Sequence, residues 1–296
     1  MKYIINKEQA GREIKCFLKN NGVSSTLLRA LKKIPDGITV NGVHQNVRYV
    51  LKEKDILKLN IADTKEDENK YLEPIDIPID VLFENDDITV VNKSAYMPTH
   101  ESINNRGNSL ANALAYRYKD RPYVFRATNR LDKNTSGIVI TANNKFFSAL
   151  LSEKIRNGSI KKTYIAIVEG SLSGDGKIEK PIGRIAESVI ERQVREDGEY
   201  ALTEFVSLAT NDKYSVVLVS PKTGRTHQIR VHMSYIGHPL AGDEMYGGTT
   251  NGISRQALHC LMMDIDGVGC FYAPVADDMR NLIRSQFGNE DFIPKN

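Results

Sequence analysis

The run Asn129-Arg130-Leu131-Asp132-Lys133-Asn134-Thr135-Ser136-Gly137 leads straight into Ile138-Val139-Ile140-Thr141. Apolar and β-branched residues directly behind a dense polar loop read as a buried strand entered from a tight turn. Asn134, Thr135 and Ser136 carry the short amide and hydroxyl groups that fix such a loop through local hydrogen bonds. A carboxylate in that loop is held by a sheet and open to a cleft, although an aspartate in a turn more often serves the turn than chemistry. Outward from this strand, short apolar strands are expected at 81–83, 88–91, 164–168, 203–208 and 214–219, with helices at 109–118 and 145–156. In the second helix Phe147, Leu150, Leu151 and Ile155 share a face, Asn144 suits the N-cap, and Gly158 follows the end. Strands and helices do not alternate in a regular βαβ manner. The expectation is an α+β fold, a largely antiparallel mixed sheet with flanking helices.

A second polar segment, Lys222-Thr223-Gly224-Arg225-Thr226-His227-Gln228-Ile229-Arg230-Val231-His232, follows the strand at 214–219. Its clustered cations around a glycine suit an anion site; a plain basic surface patch is the competing reading. If 226–233 is a helix, Arg225 lies near its positive N-terminal end. Arg230, one turn later, would then project inward, where it can pair with a buried carboxylate. The nucleotide-cradling patterns G-x-x-x-x-G-K-[ST] and G-x-G-x-x-G are absent from the sequence, as are the G-x-S-x-G elbow and H-E-x-x-H. Cys16, Cys260 and Cys270, odd in number and without a C-x-x-C pair, suggest neither a disulfide framework nor a zinc site, so no metal is expected.

The 296 residues are 41% hydrophobic and 26% charged, within the globular range, and their net charge of +3 hides an asymmetry. Residues 1–61 carry 12 Lys and Arg against 5 Asp and Glu, whereas 62–88 carry 2 against 10. The basic head favours a polyanionic partner, because phosphates bound by Lys and Arg release counterions; a solvated surface is the bland alternative. Its pattern is a helix at 10–20, a second from Ser24 or Ser25 to about Ile34 closed by Pro35, then strand, Asn41-Gly42 turn and strand, and a last strand at 55–60. Arg29, Lys32 and Lys33 would project from the second helix. The acidic stretch 62–74, rich in charge and closed by Pro74, reads as a linker. No apolar run approaches the ~20 residues of a spanning helix, and the N-terminus turns polar too early for a signal-peptide core, so a soluble cytoplasmic protein, a monomer by default, is expected.

Residues 10–60, above all Gly37–Val43 (GITVNGV), resemble the S-four-type αL RNA-binding module. NRLDKNTSG resembles the H-R-L-D-x-x-T-S-G signature of the RluA family of RNA pseudouridine synthases. KKTYIAIVEG is similar to that family's K-x-Y-x-A-x-V-x-G strand, and GRTHQIRVH with GHPLAGDEMYG to a further segment; VVNKSAYMPTH and QALHCLMM match more loosely. These motifs run in the family's order over about residues 80–275. The resemblance implies an S-four-type domain at 1–61, a linker at 62–74 and a catalytic domain with the pseudouridine synthase fold at 75–296. It also implies an activity: isomerisation of specific uridines to pseudouridine in structured RNA, with large-subunit rRNA favoured and tRNA as the alternative.

By the same resemblance Asp132 is the catalytic aspartate, Tyr164 the active-site tyrosine and Arg230 the arginine paired with the aspartate. Uridine and pseudouridine are isomers, so no cofactor is implied. The carboxylate can attack the anomeric carbon or the base, or assist glycal formation. A guanidinium beside it favours its ionised form, and Tyr164 can stack on the detached uracil or take part in proton removal. Arg130, Lys161, Lys162, Lys222, Arg225 and His227, with Arg29, Lys32 and Lys33 of the head, are the expected RNA contacts. Asn129 stands where the family has histidine, Ser94 where it has proline and Tyr96 where it has glycine. The first departure removes a potential positive charge and, with the basic head, keeps a second reading open: a non-catalytic RNA-binding or ribosome-assembly factor. An aspartate-nucleophile hydrolase is a third, which leaves the head unexplained.

Overall fold

A computed structural model describes residues 1–294 apart from 62, 64, 66, 68–71, 103–105, 186, 187 and 189. The first sixty residues build β1 (Lys2–Ile4), α1 (Ile14–Asn20), α2 (Ser25–Leu31), β2 (Ile38–Val40), β3 (Val43–His44) and β4 (Ile56–Leu59). The strands form a sheet of order β1-β4-β2-β3. Asn41 and Gly42 take φ of 52° and 85°, the left-handed pair that an Asn-Gly hairpin turn requires. The Asn41 side chain then fastens the turn to β4: its amide donates to Asp55 at 2.9 Å and its oxygen accepts from the Ile56 N–H at 2.9 Å. Helix α1 begins at Ile14, later than its sequence pattern suggests. β1 had no sequence signal, since three residues cannot display a period.

Ile14, Phe17, Leu18, Leu27, Leu31, Ile38, Val40, Leu57 and Leu59 form the head's own core. Each such side chain taken from water contributes about 1.5–3 kcal/mol. One member comes from outside the head: Phe146, at the start of α4 (Lys145–Arg156). The acidic stretch 62–74 lies partly outside the described residues, but Asp63 and Asp67 pair with Arg126 and Lys145 at 2.7 and 2.6 Å.

The remaining chain adds β5 (Asp80–Glu84), β6 (Ile88–Lys93), α3 (Leu110–Arg117), β7 (Ser136–Ala142), then after α4 β8 (Ile160–Glu169), β9 (Asp175–Glu179), β10 (Ile182–Arg184), β11 (Arg192–Val194), β12 (Leu202–Thr210), β13 (Tyr214–Pro221), α5 (Gln228–Tyr235), β14 (Leu258–Ile265), β15 (Gly269–Tyr272) and α6 (Asp277–Phe287). A nine-stranded sheet runs β5-β6-β7-β14-β8-β13-β12-β9, with β15 beside β14. It is mixed and largely antiparallel: β7 and β14 run parallel, while β8 is antiparallel to both its neighbours. Residues of β8 alternate as a period of two demands. Tyr164, Ala166 and Val168 pack with Ile229 and Met233 of α5, whereas Ile165 and Ile167 pack with Met279, Leu282 and Ile283 of α6. That alternation puts Tyr164 on the face that α5 covers.

Helix α4 departs from the expected single apolar face. Leu151 packs into the body and Leu150 against the head, Ile155 is 45% exposed, and Phe146, outside that face, is nearly buried. The helix serves two cores, so its apolar residues are spread over two sides.

Candidate active site

The loop before β7 is built by its polar residues. The Thr135 N–H donates to the Asp132 carbonyl at 3.0 Å and closes the turn. The Thr99 hydroxyl donates to the Leu131 carbonyl at 3.1 Å. Asn129 is buried and held at both ends of its amide: the nitrogen donates to the Ile138 carbonyl at 2.8 Å and the oxygen accepts from the Ile140 N–H at 3.0 Å. Its amide therefore fastens the loop to β7 by the pairing a strand would make. Gly137, at φ 109°, lets β7 lie beside β14; a Cβ there would stand 2.3 Å from the Cys260 carbonyl oxygen.

Asp132, one-third exposed at its side chain, receives Arg230 Nη1 at 3.3 Å. Arg230 itself is almost buried and is gripped bidentately by a carboxylate that sequence reading did not identify: Nε and Nη2 each donate to Asp243 at 2.7 Å. The guanidinium also lies 4.8 Å from the centre of the Tyr246 ring. The Tyr246 hydroxyl meets His227 Nδ1 at 2.8 Å and accepts from the Arg192 N–H at 3.0 Å. Asp243 and Tyr246 both lie in GHPLAGDEMYG, the stretch that resembled a family motif; the motif was the available signal. Helix α5 starts at Gln228, after His227 in the left-handed region (φ 57°). Gln228 ties the preceding loop down, accepting from the Arg225 N–H at 3.0 Å and from the Thr223 hydroxyl at 2.7 Å.

Asp132, Tyr164 and Arg230 line one cavity of about 430 Å³, together with Arg130, Lys162, Arg225 and His227. Lys222 lies outside the lining, between Pro221 and Thr223, which belong to it; it pairs with Glu204 at 2.7 Å. Arg225 pairs with Glu199 and donates to the Tyr200 carbonyl. Lys161, expected alongside Lys162, lines a separate depression at the β14–β15 turn, because successive residues of a strand face opposite sides. Arg29, Lys32 and Lys33 are exposed on the head, away from the cavity lining.

Burial, and then Cys260, pushes the Tyr164 phenol well above its usual value. Burial lowers His227, against the opposing pull of Asp132, which lies 3.7 Å from its Nε2. At neutral pH the cation on Asp132 is therefore Arg230. Lys93, in the loosely matching VVNK segment, went unassigned from sequence. Its Nζ donates to the carbonyls of Ser94, Met97 and Lys133 at 2.7, 2.8 and 3.3 Å, and burial followed by the charge of Arg255 lowers it to about 7. Among the described residues no three His, Cys, Asp or Glu side chains gather as metal ligands would.

A family model described as RNA pseudouridylate synthase matches residues 87–235, which include Asp132, Tyr164 and Arg230. The chain is 38% identical over 282 residues to the uncharacterised RNA pseudouridine synthase YjbO of Bacillus subtilis, covering 92% of this chain and 99% of that protein. It is 36% identical to the ribosomal large subunit pseudouridine synthase D of Vibrio parahaemolyticus, over 72% of each. Among solved structures it is similar to human RNA pseudouridylate synthase domain containing 1, with a TM-score of 0.57 and 28% identity over 68% of this chain and 84% of that one.

Proposed function

The chain belongs to the RNA pseudouridine synthase family, and from that premise we propose that it isomerises uridines of structured RNA with Asp132 as the nucleophile. The observation that carries this is the meeting of Asp132 and Arg230 Nη1 at 3.3 Å in a cavity that Tyr164 also lines. The reaction breaks the N1–C1′ bond of uridine and forms C5–C1′; a proton leaves C5 and N1 gains one. Asp132 supplies the electron pair that takes over the sugar or the base while the uracil turns. Arg230, locked by Asp243, holds the carboxylate's place without having to move during the reaction. Tyr164 keeps its proton at neutral pH, which favours a stacking surface and hydrogen-bond donor over a base.

A uridine must leave its stack to reach the cavity, at about a few kcal/mol. Arg130, Lys162 and Arg225 on the lining, with Lys222 beside it, hold the flanking phosphates. The exposed pairs Lys222–Glu204 and Arg225–Glu199 contribute only about 0–1 kcal/mol each, so phosphate can displace the carboxylates. Residues 1–61 act as an S-four-type RNA-binding domain carrying Arg29, Lys32 and Lys33, and 75–296 as the catalytic domain. Large-subunit rRNA is the favoured substrate, supported by the names of relatives such as the Vibrio enzyme. No helix among the described residues is long and apolar enough to cross a membrane, and a cytoplasmic monomer is the proposed working form.

Unmodified rRNA and tRNA transcripts incubated with the protein and mapped for pseudouridine test this reading. Wild type should form it, and Asp132→Asn should lose at least about a thousandfold, some 4 kcal/mol of transition-state stabilisation, while still binding RNA. Equal RNA binding with no product from either protein would establish the non-catalytic factor instead.

A further inference from the structure

Helix α4 connects the basic head to the body that carries the cavity. At its start Phe146, 4% exposed, is a member of the head's apolar core, and Leu150, one turn on, packs against that core. Leu151 is a member of the body's core. Near its end Ile155 lines the Asp132 cavity. Polar contacts reinforce the junction. Arg126 donates bidentately to Asp63 at 2.7 and 2.8 Å, and the Asp63 side chain is 2% exposed. Lys145 pairs with Asp67 at 2.6 Å, and its N–H reaches the Ile61 carbonyl at 3.4 Å. A freely tethered head would need neither a buried aromatic anchor nor a buried bidentate pair.

We propose that Phe146 is a specificity-determining residue: with the Arg126–Asp63 pair it fixes the basic head on α4 at a set distance from the Asp132 cavity, and so selects RNAs that present a backbone contact and a target uridine at that spacing. From Phe146 to Ile155 the helix rises about 14 Å. The inference rests on the proposed roles of the head and the cavity. A docked head meets the RNA without first losing its freedom, and binding gains from that preorganisation. A head on a loose tether contributes only through its effective concentration.

The test uses the full chain on two RNAs, a large-subunit rRNA transcript and a short hairpin cut from it around the converted uridine. Phe146→Ser should raise KM about tenfold on the transcript, leave kcat there unchanged and leave the hairpin's kcat/KM unchanged, while Phe146→Leu should behave as wild type. Arg126→Gln, which keeps the apolar anchor, should shift KM the same way by less and guards against a Phe146 variant that fails to fold. Wild-type kinetics on the transcript from both Phe146→Ser and Arg126→Gln would overturn the proposal. Changing Arg29, Lys32 and Lys33 together to Gln separates that failure from a failure of the premise. A raised KM from the triple variant alone leaves the head an RNA contact and removes the docking role. A silent triple variant removes the head's RNA role and the proposal with it.

Discussion

Two buried arginines approach the same loop and do different things there. Arg230 and Arg255 are both held bidentately by an aspartate, Asp243 at 2.7 and 2.7 Å, and Asp278 at 2.6 and 2.8 Å. Each then has nitrogens left over. Arg230 turns Nη1 to the carboxylate of Asp132, on the wall of an open cavity. Arg255, with no exposed side-chain surface, gives Nη1 to the carbonyls of Asn134, Gln256 and Leu258 and Nη2 to the Ser136 hydroxyl. One reaches the carboxylate of Asp132, the proposed nucleophile, from the front; the other holds the backbone of the same loop from behind. Residue type, burial and the kind of partner are shared, so the destination of the last N–H is what separates the arginine proposed to act in the site from the one that braces the loop.

Breaking the scaffold should have the largest effect. Arg255→Met strands Asp278 and several buried carbonyls, and an expected loss of about 3–5 kcal/mol in unfolding free energy would appear in urea titration. A shift of less than about 1 kcal/mol would show that the loop does not depend on it. Arg230→Lys keeps the charge and loses the fork. Pseudouridine formation should fall about a hundredfold in kcat with the melting temperature little changed, and an unchanged kcat would remove Arg230 from the mechanism.

The two aspartates sharpen the contrast at smaller scale. Asp243→Asn should lower kcat about tenfold, or about 1.4 kcal/mol, by loosening Arg230. Asp278→Asn, which leaves the fully buried Arg255 guanidinium without its counter-charge, should cost about 2–3 kcal/mol of stability with kcat intact; the reverse pattern would invert the comparison. The smallest signature is in acid. His259, buried against Ser136 at 2.9 Å in the scaffold, is lowered to about 4, chiefly by burial. It is neutral when folded and protonated when unfolded between about pH 6.5 and 4, so stability is lost as pH falls through that window. The acid slope of Tm should be shallower in His259→Gln; parallel curves would show that His259 does not carry it.

The difference between the arginines was only half legible beforehand. Arg230 could be singled out because cations crowd around Gly224 on what reads as a helix. Arg255 sits alone before Gln256, and nothing local marks it; its partners Asn134 and Asp278 lie 121 and 23 residues away in sequence. The same holds for Asp243, 13 residues beyond Arg230 in a stretch without period. Lys161 and Lys162 look alike as neighbours; once β8 is known to begin at Ile160, the two-residue spacing from Tyr164 puts Lys162 on the cavity face and Lys161 on the other.

Local order left clear marks: the Asn-Gly turn, the Asn144 cap of α4, the long strands and the polar loop in front of β7 each depend on residues a few positions apart, and the chain's own spacing determines them. The class of the fold followed from those marks and from motif resemblance; the resemblance alone nominated Asp132, Tyr164 and Arg230, which line one cavity. What joins Arg230 to Asp243, Arg255 to the loop and Phe146 to the head is decided by packing across long sequence separations. Burial makes each of those contacts strong, and burial exists only once the sheet has assembled.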